Sequence, residues 1–430
     1  MLRDMGKDWE IIELDLDPPR EGEVLIRFAA AGLCHSDDHL RTGDIPVRYP
    51  IVGGHEGAGI VEEVGIGVSR LKPGDHVVCS FLPTCGHCRF CASGMTNLCD
   101  MGALFVDNCL PDGTFRFHAD GEDFGQMCLL GTFSQRSVVS EHSCVKIDDD
   151  LPLETVALVG CGVPTGWGTA VNAGAVRPGD TTVIYGIGGV GINAVQGAAF
   201  AGARNVIAVD PLEFKRENAM EFGATHVAAS AEEAASLVSS VTRGVGADQA
   251  LITVGVVTEE VISAAFAGAR NVIAVDPLEF KRENAMEFGA THVAASAEAA
   301  QELVTELTRG VGADQALITV GVVTEDVIAA AFAAVRKRGT VVITGLAGPG
   351  KKTIQLPSFE LTLFEKRLQG ALFGSGNPFD TIPKLLELYQ AGQLKLDELV
   401  TNRYTLDEVN QGYRDMLDGR NIRGLLIHES

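Results

Sequence analysis

Residues 181–196 read TTVIYGIGGVGINAVQ: an apolar strand, a glycine turn and the opening of a helix. Gly186, Gly188 and Gly191 form G-x-G-x-x-G, with Gly189 between the last two. Glycines here allow a tight turn and let a pyrophosphate approach the helix N-terminus closely. The next strand, NVIAVD, ends in Asp210, nineteen residues past Gly191. An acidic group at that place accepts hydrogen bonds from the adenosine ribose and repels a 2′-phosphate, which selects NAD(H) over its phosphorylated form. Further apolar strands, ADQALITV and GTVVITGL, alternate with Ala- and Glu-rich helical stretches. This alternation predicts an α/β domain with a doubly wound parallel sheet buried on both faces.

That sheet must accommodate a repeat. The stretch AAFAGARNVIAVDPLEFKRENAMEFGATHVAASAE occurs at 198–232 and again at 264–298. At a constant offset of 66, residues 198–263 and 264–329 differ at only eight positions, and removing one copy leaves 364 of the 430 residues. Copy one follows the glycine turn. Asp276 ends the identical strand of copy two, but LITVGVVTEEVISAAF stands before it and supplies no phosphate turn, so a half-site that binds nothing is expected there. Copy two leads instead into RKRGTVVITG, the strand that must follow in the sheet. A six-stranded core with one βα module looped out is expected, since each doubling of loop length costs only about 0.6 kcal/mol. An enlarged sheet is the alternative.

The rest of the chain differs in kind. From about residue 10 to 150, short β segments such as EVLIRFAAAG, GIVEEVG and GDHVVCSF are punctuated by Gly and Pro, which predicts an irregular all-β domain. The last 60 residues carry two amphipathic helices and a closing strand, RGLLIH. A net charge of −23 argues against nucleic-acid or anionic-membrane partners. No apolar run approaches the roughly 20 residues that span a bilayer. The opening MLRDMGKDWE lacks a signal-peptide core, so a cytoplasmic location is expected.

All ten cysteines fall between Cys34 and Cys161. Without an export signal, clustered thiols point to metal rather than disulfides. The run CGHCRFCASGMTNLC places Cys85, Cys88, Cys91 and Cys99 where four thiolates can close a tetrahedron around a structural zinc. An iron–sulfur cluster is the rival. A second set is dispersed: Cys34 in GLCHSDDH, His55 and Glu56 in GGHEGAG, and Cys161 in GCGVPTGWG. Two thiols and an imidazole leave a fourth position open, as at a catalytic zinc; ordinary buried thiols and a satisfied imidazole are the bland alternative.

Taken together, these signals resemble the zinc-dependent medium-chain alcohol dehydrogenases, through nearly the whole chain once one copy of the repeat is removed. The stretches AAGLCHSDDHLRTGDIPVRYPIVGGHEGAG, LGTFSQRSVV and LVGCGVPTGWG are most similar to the nitrosoaniline-dependent (NDMA) branch of actinobacteria, which is associated with the redox cofactor mycofactocin and holds NAD(H) tightly. The resemblance implies a GroES-like catalytic domain over 1–162, a Rossmann domain over 163–371 and a return to the catalytic domain over 372–430. It implies Cys34, His55 and Cys161 as catalytic zinc ligands, Glu56 beside the metal and Asp37 orienting His55. Ser36 takes the place that receives the alcohol proton, and His39 the far end of that relay. His35 and Arg423 match cationic places near the pyrophosphate, Lys215 flanks the ribose, and Phe81 lines the substrate channel.

The implied activity is interconversion of a primary alcohol and its aldehyde, with zinc at one catalytic and one structural site, and NAD(H). Glutathione-dependent formaldehyde dehydrogenases are the nearest other relatives. A zinc-binding but inactive protein, its cofactor cleft spoiled by the repeat, is the rival from another class. Partners implied are a small alcohol or aldehyde, mycofactocin or another redox carrier, and a second copy joined along GTVVITGLAG and the region to Phe373. The family chain usually opens with an extra strand where MLRDM stands here, so an unpaired edge is expected.

Overall fold

The computed structural model describes residues 1–43, 45, 47–242, 249–252, 273–275, 292–294, 297–307, 313–318, 335–343, 361, 367–370 and 372–428. They fall into two compact units, Met1–Thr165 with Ser375–Ser430, and Gly166–Gly374. The first unit opens with β1 (Glu23–Gly32), α1 (His35–Thr42), β2 (Gly57–Val64), β3 (His76–Cys79), β4 (Arg136–Ser140) and β5 (Cys144–Lys146). The second contains β6 (Thr181–Tyr185), α2 (Gly191–Phe200), β7 (Asn205–Val209), β8 (His226–Ala228), β9 (Gln249–Ile252), β10 (Ile273–Val275), β11 (His292–Ala294), β12 (Ala313–Ile318), β13 (Val335–Ile343) and β14 (Arg367–Gly370). The chain re-enters the first unit with α3 (Pro378–Gln390), β15 (Val400–Tyr404), α4 (Val409–Leu417) and β16 (Arg423–Ile427).

In the first unit β1 is the hub of a seven-stranded sheet ordered β15-β16-β1-β2-β3-β5. Its first half pairs with β4 and its second half with β16, along one edge, while β2 runs down the other. The sequence EVLIRFAAAG suits this place, because its apolar side chains alternate between two faces and both are covered. Val24, Ile26 and Phe28 pack with Val61, Val77 and Val139 on one side. Ala31 and Leu33 pack with Leu40, Ile51, Phe133 and Tyr413 on the other. Helix α1 follows directly. Cys34 caps it in an extended conformation, Asp37 and Asp38 lie in its positive first turn, and left-handed Gly43 ends it. The expected free edge at MLRDM is pinned: Leu2 and Ile51 exchange both backbone hydrogen bonds, at 2.8 and 2.9 Å.

In the second unit β6 is buried along its whole length and lies between β7 and β9, in a parallel sheet ordered β8-β7-β6-β9. The repeat copies build the same ladder. Ile207 pairs with His226 in copy one, and Ile273 pairs with His292 in copy two, at an identical register. The single six-stranded core expected from the sequence differs from what the described residues form, which is sheets of four, two and three strands. The reason is competition for one slot. Strands β9 and β12 both read QALI, so either can lie beside β6 or β13; β9 pairs with β6, and β12 pairs with β13 in the order β12-β13-β14. Copy one therefore serves the glycine turn and copy two serves β13, as their chain positions favour. Asp276 and residues 344–348 of the GTVVITGLAG interface segment lie outside the described residues.

Candidate active site and metal centres

Three separate stretches meet around one point in the first unit. Cys34 arrives at the end of β1, His55 and Glu56 just before β2, and Cys161 from the segment Ala157–Gly160. The ligand atoms of Cys34, His55, Glu56 and Cys161 all lie within 4.8 Å of one another. Loop 132–133 holds the histidine segment in place: Thr132 N–H donates to the Gly54 carbonyl at 3.0 Å and Phe133 N–H to Gly53 at 2.9 Å. His55 Nδ1 donates to Asp37 Oδ1 at 3.2 Å, which also accepts the Gly54 N–H at 2.9 Å. That fixes the imidazole and leaves Nε2 buried and with no hydrogen-bond partner. A metal ion is the group that such an atom lacks.

Charge at the cluster is poised for a cation. A hydrogen bond from Cys161 holds the Cys34 thiol well below its usual range, and the same bond, with burial, pushes Cys161 well above. The pair thus shares one proton, which metal binding displaces. Burial by itself lowers the His55 pKa, but the Asp37 carboxylate and Cys34 outweigh it and raise it well above the ordinary value. Burial raises Glu56 to about 7 against the pull of Arg423.

Both Glu56 oxygens are already engaged. Oε2 accepts from Arg423 Nη2, and Oε1 accepts the Gly162 N–H at 3.1 Å. Only glycine fits beside this ion pair: a Cβ on Gly32 would strike Glu56, and one on Gly162 would strike Arg423. With Glu56 turned to Arg423, Cys34, His55 and Cys161 are the donors left for a metal. Arg423, expected near the pyrophosphate, is buried here on Glu56.

The other expected residues gather on α1 and around the ligands. Ser36 Oγ lies 3.7 Å from Cys34 Sγ, and His39 follows three residues later on the same helix face. His35 meets His39 edge to face at 5.4 Å, and burial followed by the His39 charge lowers its pKa, which favours a neutral ring. Phe81 stands edge-on to His55 at 5.7 Å.

Cys85, Cys88, Cys91 and Cys99 form the second donor set, likewise within 4.8 Å. The Cys85 and Cys91 sulfurs are 3.9 Å apart, and a tetrahedron with Zn–S bonds of about 2.3 Å sets its sulfurs about 3.8 Å apart. Backbone N–H groups of Cys88, Cys91 and Cys85 point at the sulfurs of Cys85, Cys88 and Cys99, at 3.3–3.4 Å. Backbone donors from Asp100 and Cys91 lower Cys88 to about 6, while burial pushes Cys91 to about 12. All ten cysteines are free, so no disulfide competes for these thiols.

In the second unit the glycine turn is formed as a phosphate cradle requires. Gly186 is left-handed (φ 82°), and a Cβ on Gly188 would meet nothing within 4 Å, so the backbone there is open to a ligand. Asp210 is buried; its oxygens accept the Ile187 N–H at 2.8 Å and the Leu212 N–H at 2.9 Å. A carboxylate has about four acceptor sites, so two remain for ribose hydroxyls. Lys215 Nζ lies 4.0 Å from Asp210. Gly189 accepts from Asn193 Nδ2 at 2.8 Å, and Gly191 starts α2.

Sequence comparison agrees with this geometry. The alcohol dehydrogenase GroES-like domain family matches residues 20–149, and the zinc-binding dehydrogenase family matches residues 189–267 and 260–391. The chain is 55% identical over 430 residues to the NDMA-dependent alcohol dehydrogenase of Amycolatopsis methanolica, covering 100% of this chain and 98% of that protein. It belongs to the zinc-dependent medium-chain alcohol dehydrogenases. Alcohol dehydrogenase B of Mycobacterium tuberculosis is 41% identical over 99% of this chain and 96% of its own length. Among solved structures, benzyl alcohol dehydrogenase from Acinetobacter calcoaceticus is similar at TM-score 0.67 and 28% identity, over 99% of this chain and 97% of that one. An alcohol dehydrogenase zinc-binding domain protein from Burkholderia ambifaria reaches 0.69 at 29% identity, over 100% and 97%.

This dehydrogenase is therefore an enzyme that interconverts an alcohol and its carbonyl product, with zinc and NAD(H) as cofactors. No described helix is long and apolar enough to cross a membrane. Three contributors to the site were not legible in its sequence. Gly162 offers its N–H to Glu56, the Cys128 thiol is buried within reach of the His55 and Asp37 charges, and Tyr413 donates to the Cys34 carbonyl. None lies in a motif with its partner. Tyr413 and Cys34 are 379 residues apart.

Proposed function

We propose that Cys34, His55 and Cys161 hold the catalytic zinc of this dehydrogenase, that Cys85, Cys88, Cys91 and Cys99 hold the structural one, and that the substrate is a primary alcohol. The observation that carries this reading is the donor trio around a partnerless His55 Nε2, with Glu56 turned away to Arg423. Zinc held by Cys34, His55 and Cys161 would supply a Lewis acid for the alcohol oxygen, and NAD(H) would supply the hydride acceptor or donor. The chain's own residues do the rest. Ser36 Oγ receives the hydroxyl proton and passes it along α1 to His39, which delivers it to solvent. Asp37 holds His55 in one tautomer, and Phe81 covers the imidazole edge. In the other unit Asp210 and Lys215 take the adenosine ribose, and Gly186, Gly188, Gly189 and Gly191 take the pyrophosphate.

The similarity to an NDMA-dependent relative supports NAD(H) that stays bound and is recycled in place, with mycofactocin or a similar redox carrier as the electron partner. A cytoplasmic enzyme that associates with a second copy through the nucleotide-binding domain, with domains at 1–162, 163–371 and 372–430, completes the proposal. Neither donor set, nor the glycine turn, favours the inactive alternative. The test is direct. Purified protein given zinc and a series of primary alcohols is expected to reduce nicotinamide or bleach NDMA, and to release NAD(H) when denatured. Absence of any alcohol-dependent change with both metal sites filled overturns the assignment.

A further inference from the structure

Tyr413 belongs to α4, far from any motif, yet it reaches the ligand loops. Its ring stacks on Trp9 at 5.8 Å and tilts against Phe133 at 6.3 Å, and Trp9 meets Phe133 edge-on at 5.3 Å. Asn410, one turn earlier on α4, clamps the Trp9 backbone through its N–H at 3.0 Å and its carbonyl at 2.9 Å. The Trp9 indole lies against Gly53, where any Cβ would strike it, and Gly412 lets α4 press against Leu33. The aromatic trio therefore braces both stretches that carry metal donors: Leu33–Cys34 and Gly53–His55.

The Tyr413 hydroxyl reaches the ligand loop itself. It donates to the Cys34 carbonyl at 3.4 Å, which is long for O–H···O, so that proton is only loosely committed. A stronger acceptor belongs to the same turn: the Asp37 N–H donates to that carbonyl at 3.2 Å. Asp37 is fully buried; Oδ1 takes the Gly54 N–H, both oxygens lie 3.2 Å from His55 Nδ1, and Oδ2 accepts no further hydrogen bond. Charge-assisted bonds to carboxylate are roughly twice as strong as neutral ones.

Resting on the metal-site reading above, we propose that Tyr413 is a positioning residue of the alcohol site: its hydroxyl donates to Asp37 Oδ2 and, through Asp37, fixes the plane and tautomer of His55. Tyr413→Phe keeps the ring and its stacking and removes only the hydroxyl. Release of zinc to a chelator from the holoenzyme is expected to speed up about tenfold for one metal per chain and not for the other, since losing a partner behind a ligand costs 10- to 100-fold in affinity or activity. The turnover number falls with it while KM and the thermal midpoint stay near wild type. Tyr413→Leu, which also loses the stacking, lowers the thermal midpoint as well. Wild-type zinc release and turnover in Tyr413→Phe overturn the proposal. His55→Ala separates the two levels: if it still binds as much zinc as wild type, the metal-site reading itself fails, whereas loss of one zinc beside an unaffected Tyr413→Phe rejects only the role of Tyr413.

Discussion

Glu56 is a carboxylate with no exposure to water, and it survives there because Arg423 and a glycine N–H take its two oxygens. Breaking such a buried pair costs about 3–5 kcal/mol. Gly162→Ala puts a methyl group into Arg423, so we expect denaturant unfolding to show a loss of roughly 3 kcal/mol, along with lost activity. Ser36 behaves differently, because its hydroxyl moves a proton rather than supporting the fold. Ser36→Ala is expected to lower kcat/KM by about a hundredfold with zinc content unchanged; equal rates would remove it from the relay. His428 supplies a pH dependence. Its Nε2–H donates to the Thr132 carbonyl at 2.9 Å, and its Nδ1 is buried with no partner, so a second proton has nowhere to bond. Burial lowers its pKa from 6.5 to about 4. The unfolded chain therefore binds the proton more readily, and folding stability is full above pH 6.5 and is lost as pH falls toward 4. The loss is at most about 3 kcal/mol. Unfolding midpoints between pH 7.5 and 4.5 should fall less steeply for His428→Leu than for wild type.

Elements that carry their own chemistry were legible before any coordinates. The four-cysteine loop encodes its geometry in local spacing, and the sulfurs meet as that spacing predicts. Metal removal tests it: Cys88→Ser should lose one zinc per chain and lower the thermal midpoint while leaving the Cys34–His55–Cys161 set filled. The glycine turn was equally legible, because strand, turn and acidic strand end lie within one βαβ unit. What local sequence does not encode is which distant stretch completes a site. Tyr413, Trp9 and Gly162 act through packing across the fold, and each looks like an ordinary core residue in its own neighbourhood. The repeat sets a related limit. Identical strands β9 and β12 have identical propensities, so only their distance along the chain from β6 and β13 separates them.

At the scale of the whole molecule, two units contribute unlike parts: one brings two zinc-type donor sets and the other a dinucleotide turn. Among the described residues, the second copy of the repeat adds to neither. A chain lacking 264–329 keeps the glycine turn, Asp210 and every proposed ligand, so it should retain both zincs, bound nicotinamide and alcohol-dependent turnover. Loss of bound nicotinamide from the shortened chain would show that copy two supports the cofactor site. The account as a whole stands on the metal held by the Cys34, His55 and Cys161 donors. Zinc content and turnover measured together on wild type and Cys161→Ser test it most directly. We expect the variant to hold one zinc fewer per chain, to keep its nicotinamide and to lose alcohol oxidation. A variant that still oxidises alcohol at the wild-type rate with its zinc content undiminished would contradict the account.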